Sequence, residues 1–206
     1  MKKDSTLYVA IFMFTVSIAF VLPLALANEL TKPAVTENMI FASRKAVLDA
    51  FGILWTSRTH ANSQYESRIV EHESNGSKAW KTVIDGSDHV AIEYTGAGVW
   101  GPITIILAAD KEVTRLDGMT VLFHSETPGL GGRIDEEWFR EQFRKEQVGA
   151  EGIRITTGTE ALGRGDTDKD NLVLDGITGA SRTTQAMEAL VNGALRELRT
   201  FAGAAK

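Results

Sequence analysis

Residues 89–124 read HVAIEYTGAGVWGPITIILAADKEVTRLDGMTVLFH. Three segments within them, HVAIEYTG, PITIILAAD and GMTVLFH, are short, rich in β-branched residues and bounded by the breaker clusters GAG and DKE. Runs of that length with such boundaries read as strands. The same two-residue period is already present upstream in YESRIVEHES and KAWKTVI, with SNGS and DGSD as turns. Successive strands on short connections predict a mostly antiparallel sheet from Tyr65 to His124.

Outward from the sheet the period changes. TENMIFASRKAVLDAFGI, from Thr36, spaces Ile40, Val47, Leu48 and Phe51 at helical intervals, with Thr36 as the expected cap and Gly52 as the stop. After the strands a helix is expected to open at Asp135, with Trp138, Phe139 and Phe143 on one side and Asp135, Glu136 and Glu137 complementing its positive end. GIRITT offers a further strand, and GTEALGRGDTDKDN, residues 158–171, reads as a polar loop. From about Arg182 to Ala202 a core helix places Met187, Leu190, Val191, Ala194, Leu195, Leu198 and Phe201 on one face. The expected fold class is α+β, a mostly antiparallel sheet with packed helices, preceded by one N-terminal transmembrane helix.

That last element rests on Leu7 to Ala27, a charge-free run of 21 residues. As a helix it spans about 32 Å, against a hydrocarbon core of about 30 Å. Lys2 and Lys3 precede it and place the amino terminus on the cytoplasmic side. Ala25-Leu26-Ala27 behind Pro23 also reads as a signal-peptidase site, so residues 1–27 are an anchor or a signal peptide, and both readings export residues 28–206. The expected location is the inner membrane, single-pass, with the domain on the extracytoplasmic side.

Composition excludes much of the usual site chemistry. The 206 residues contain no cysteine, which removes disulfides, thiolate metal sites and thiol nucleophiles, and only four histidines, without metal-ligand spacing. A net charge of −5 with no basic cluster argues against nucleic acid. The aspartates of DTDKDN begin like a calcium loop, but the sixth position is Asn171 and the twelfth Ile177, so the turn glycine and the bidentate glutamate are both missing.

Three glycine-containing stretches remain. In HSETPGLGGRI, residues 124–134, Pro128 and Gly129 fit the central positions of a type II turn, and Gly131 and Gly132 let a flat ligand or another chain approach the backbone. In TGAGVWGPI, Trp100 sits among Gly96, Gly98 and Gly101, either as an exposed stacking surface or as filler beside a bend. In DGITGASRTT, Ser181 or Thr183 suits a helix N-cap, and the small residues ahead of the helix would also present amides to a phosphate.

GVWGPI, HSETPGLGGRI and DGITGAS, in that order behind an apolar N-terminal segment, resemble the FMN-binding domain of the single-anchor flavoprotein subunits of Rnf-type ferredoxin:NAD oxidoreductases and sodium-translocating NADH:quinone reductases. The resemblance implies FMN held covalently, as a phosphoester made by a flavin transferase on the last hydroxyl of DGITGAS, here Ser181. The family more often has threonine there, so the nucleophilic oxygen is kept and the methyl lost. Asp175 then corresponds to the acidic position used in transferase recognition, and Thr178, Gly179 and Ala180 to the phosphate-side loop. Glu126, Thr127, Gly129, Leu130 and Gly131 correspond to the segment lining the flavin, and Trp100 and Gly101 to a second wall. The implied function is electron relay within a membrane complex that couples redox to ion movement, with the other membrane subunits and the transferase as partners. A free-standing anchored flavoprotein or a non-redox exported binding module are the alternatives.

Overall fold

The computed structural model describes residues 5–74, 76–158 and 164–204. Lys2, Lys3, Asn75 of the SNGS turn and residues 159–163 of the polar loop lie outside them. Two compact units are present, Met1–Phe41 and Ala42–Lys206.

The first unit is built on helix α1, Thr6–Phe51. Its large apolar residues between Leu7 and Ile40 are mostly exposed, whereas Val47, Leu48 and Phe51 are buried, and it is long and apolar enough to cross a membrane. The expected helix start at Thr36 is not there, because the two segments form one helix. Thr36 Oγ1 donates back to the Lys32 carbonyl at 2.9 Å, the bond of a helix-interior threonine, not of a cap. Pro23 and Pro33 are carried inside the helix.

In the second unit, α1 ends where Gly52 takes a φ of +72°. The Gly52 amide bonds Asp49 O and the Ile53 amide bonds Leu48 O, closing the last turn as a Schellman motif. Helix α2, Arg58–Arg68, follows with Ser57 as its cap. The strand expected from Tyr65 therefore starts only at Val70. With Ala61 and Tyr65 as its only buried residues, α2 offers too thin an apolar stripe to reveal its period. Tyr65 turns inward, donating to Glu71 Oε1 at 2.5 Å and accepting from Trp80 Nε1 at 2.8 Å.

Five antiparallel strands in sequence order make the main sheet: β1 Val70–Ser74, β2 Ser77–Ile84, β3 Ser87–Ala97, β4 Pro102–Asp110 and β5 Leu116–Phe123. Asp85 and Gly86 join β2 to β3 with φ of +51° and +82°, the two positive values that a type I′ turn needs. β4 lies inside the sheet and buries Ile103 and the run from Ile105 to Ala109, which is why PITIILAAD reads as nearly continuous apolar sequence.

A 3₁₀ turn, Gly131–Asp135, and the one-turn helix α3, Glu137–Glu141, replace the longer helix expected from Asp135. Phe139 and Phe143 are nonetheless buried edge to face, 5.5 Å apart. β6, Arg154–Thr156, is the strand expected in GIRITT; its parallel partner β7, Val173–Asp175, was not foreseen. Helix α4, Ser181–Ala204, buries the seven residues expected of it and packs on β3.

Candidate functional site

The β3–β4 connection, the segment after β5 and the start of α4 meet at one end of the second unit. There a groove of about 350 Å³ is lined by Val99, Trp100, Glu126, Thr127, Leu130, Gly131 and residues 179–183. That volume lies at the lower end of small-molecule sites.

Glu126 holds these walls together. It is 4% exposed, and both carboxylate oxygens are used. Oε1 accepts the Val99 amide at 2.8 Å and the Trp100 amide at 3.3 Å, and Oε2 accepts the Thr183 hydroxyl at 2.7 Å. One buried carboxylate thus ties all three glycine-containing motifs. Gly131 makes room for it, since a Cβ there would lie 2.6 Å from Glu126 Oε2 and 2.5 Å from Thr183 Oγ1.

The turn before the 3₁₀ segment has the expected form. The Leu130 amide bonds Thr127 O at 3.1 Å, with Pro128 and Gly129 between them and Gly129 at φ +74°. His124 steadies its base: Nδ1 accepts the Glu126 amide at 3.0 Å and Nε2 lies 2.9 Å from Asp135 Oδ2. With Nδ1 an acceptor, the proton sits on Nε2 and points at the carboxylate.

At the other wall the expected capping roles are corrected. Ser181 is the first residue of α4, and Ala180 O takes the first helical bond, from the Thr184 amide at 2.9 Å. Thr184 Oγ1 reaches back to accept the Ile177 amide at 3.0 Å, and Thr183 is committed to Glu126. Ser181 is left exposed, with no capping duty, on the groove wall beside Gly179 at φ +81°. The amides of the first helical turn precede the first intrahelical bond and point out of the helix end, where anions are favoured.

Trp100 is 72% exposed, so it is a surface and not core filler. Of the residues singled out from the sequence, Trp100, Glu126, Thr127, Leu130, Gly131, Gly179, Ala180 and Ser181 line the groove, while Gly101, Gly129, Thr178 and Asp175 do not. Asp175 ends β7 and is held by its backbone: its amide donates to Gln142 Oε1 at 2.8 Å, and its carbonyl accepts Gln142 Nε2 at 3.1 Å. Val99, Arg182 and Thr183 line the groove without having been placed there from sequence. The adjacency of Arg182 to Ser181 was the only signal for it.

A groove with the exposed Ser181 hydroxyl, outward amides and a cation at one end, and apolar Trp100, Val99 and Leu130 beside it, fits a phosphorylated aromatic ligand such as FMN. Among the described residues no three His, Asp or Glu side chains converge as a metal site would require.

Comparison with known proteins points the same way. Residues 98–196 match the model of the FMN-binding domain. The chain is 31% identical over 130 residues to the NqrC component of the Na(+)-translocating NADH-quinone reductase of Chlamydia muridarum, covering 55% of this chain and 41% of that one. It is 27% identical over 132 residues to a component of the proton-translocating ferredoxin:NAD(+) oxidoreductase complex of Clostridium ljungdahlii, covering 63% and 64%. The match thus spans less than half the length of the quinone-reductase relative. In fold the chain is similar to the NqrC component of the Na(+)-translocating NADH-quinone reductase of Parabacteroides distasonis, with a TM-score of 0.67 at 18% identity over 82% of this chain and 96% of that one. The Shewanella oneidensis NqrC structure gives 0.66 at 14% identity over 78% and 96%. Three motifs in order and the α+β fold on which they converge agree with that match: residues 98–196, just under half of the chain, match the FMN-binding domain family.

Proposed function

We propose that this chain is the electron-carrying flavoprotein subunit of a membrane oxidoreductase complex of the Nqr or Rnf kind, with FMN esterified through its phosphate to Ser181. The observation that carries the reading is the convergence of Ser181, Gly179, Ala180, Leu130, Gly131 and Trp100 on one groove, drawn from three separate motifs. Bound FMN would supply one- and two-electron redox chemistry at this site.

The protein's part is placement. Ser181 Oγ would become the ester oxygen, its proton lost as a transferase displaces the leaving group of an activated FMN donor. Thr178, Gly179 and Ala180 would form the loop around the phosphate, Arg182 and the first amides of α4 would offset its charge, and Asp175 would be read by the transferase. Trp100, Gly101, Thr127, Gly129 and Leu130 would wall the ring system, with Glu126 fixing those walls from beneath. Residues 1–27 would anchor the chain in the inner membrane and residues 28–206 would form the extracytoplasmic domain. A covalent link there prevents loss of the cofactor by dilution. Partners would be the other membrane subunits of an ion-translocating complex and, during maturation, the flavin transferase.

The test is co-production of the full chain with a flavin transferase, followed by in-gel flavin fluorescence under denaturing conditions. A fluorescent band that Ser181→Ala abolishes supports the reading. No band from the unaltered chain removes covalent attachment, and a band that survives Ser181→Ala moves the attachment to another hydroxyl.

A further inference from the structure

Glu146 has no part in the groove, yet it is the most anomalous group in the second unit. It is 0% exposed, and neither carboxyl oxygen has a hydrogen-bond partner. Buried carboxyls without partners are rare because desolvating the charged form is costly.

What covers Glu146 is the acidic segment 166–172, strapped to the turn that bears it. The Gln147 amide donates to Lys169 O at 2.8 Å, Lys169 Nζ donates to Gln142 O at 2.8 Å and Glu141 O at 3.2 Å, and the Asp166 amide donates to Gln142 Oε1 at 2.7 Å. Arg115 adds a clamp, donating to Asp170 Oδ1 at 2.6 Å and to the Lys145 carbonyl at 2.5 Å.

The charges around the carboxyl oppose one another. Burial acts most strongly, raising its pKa to about 7; Lys169 opposes that, Asp166 and Asp168 add to it, and the Leu172 amide acts with Lys169 without closing a hydrogen bond. The cations on its own turn are committed elsewhere. Lys145 pairs with Asp117, and Arg144 pairs with Glu141 and donates to the Asp117 and Asp49 carbonyls.

We propose that segment 166–172 is a proton-controlled cover, closed over Glu146 while that carboxyl carries a proton and loosened when it ionises. Ionised Glu146 can be satisfied by Lys169 or by water, and both routes disturb the cover. Lys169 would have to leave the carbonyls it now bonds, and water enters only if the straps part. Leu172, a non-glycine residue at φ +63°, stores backbone strain that opening would relieve. The disturbance has a path to the strand ahead of DGITGAS, because Gln142 Oε1 accepts the Asp166 and Asp175 amides together. The cover would therefore set how firmly the end of β7 is held, independently of whether FMN is attached.

Hydrogen exchange followed by mass spectrometry on the full chain in detergent tests this. After correction for intrinsic exchange, peptides over residues 166–175 should lose roughly tenfold protection between about pH 6 and pH 8. Glu146→Gln, neutral at every pH, should hold them protected throughout. A flat profile in the unaltered chain overturns the proposal, with no variant needed. So does a Glu146→Gln profile that falls in parallel with the unaltered one. Restored protection at about pH 8 on adding millimolar calcium would also overturn it, by making the buried carboxyl a cation ligand.

Discussion

Thr183 Oγ1 donates a 2.7 Å hydrogen bond to Glu126 Oε2 across 57 residues of sequence, and the same carboxylate accepts the Val99 and Trp100 amides. Neither residue carries its role alone. The groove exists because one buried carboxyl group has three donors from two segments far apart in sequence, and each donor would be costly to leave unmet.

Glu126→Ala should accordingly do more than remove a wall. It leaves two amides and a hydroxyl unsatisfied in a cavity, a loss of about 2–4 kcal/mol. Glu126→Gln retains an acceptor for the amides and should lose less than half of that. Urea unfolding of the two variants measures the difference, and equal losses would show that the three bonds do not act as a clasp.

Gly131→Ala places a Cβ about where the Thr183–Glu126 bond runs. Overpacking of this kind costs about 1–3 kcal/mol. The same substitution at Gly129 meets open space but a φ of +74°, and should cost about 1 kcal/mol through backbone strain. A thermal shift larger for Gly131→Ala than for Gly129→Ala is expected; the reverse order would mean that turn strain, not the clasp, governs this segment.

These residues show what could be read from sequence. The short apolar, β-branched runs of β2 to β5 and the helical spacing of Met187 to Phe201 reflect burial of regular elements, and local pattern reports that directly. The Glu126 clasp has no period. Its carboxylate is inward because Gly98 and Gly131 leave space and donors far away in sequence converge on it, so only folding brings them together. α2 escaped for a simpler reason, two buried residues in eleven. Ser181 passed for a cap because sequence cannot say whether a hydroxyl or its neighbour takes the first helical bond, and here Ala180 and Thr184 divide that work.

Stability should depend on pH through Glu146. Its pKa in the folded state, about 7, lies above the unfolded value, so folding is favoured most at acid pH, where both states are protonated. That contribution falls as pH rises from about 4.5 and is lost above about 7. A decrease in the urea midpoint over that range equivalent to about 1–2 kcal/mol is expected, allowing for screening by nearby solvent. Glu146→Gln should flatten it, and an unchanged slope in that variant would assign the dependence to other carboxyls.

Gln142 offers the sharpest separation between fold and function. It is 1% exposed and acts as a detached peptide group, accepting the Asp166 and Asp175 amides and donating to the Asp175 carbonyl. Gln142→Met keeps the length and removes all three bonds, at a cost of about 2–3 kcal/mol. Among the described residues β7 pairs only with the three residues of β6, so the end of β7 should fray well before the five-stranded sheet is affected. If Asp175 is what a transferase reads, the variant should acquire flavin slowly while its far-ultraviolet circular dichroism stays unchanged. Flavin uptake at the unaltered rate from a chain whose β7 exchange is demonstrably faster would show that the backbone position of Asp175 is not what the transferase needs.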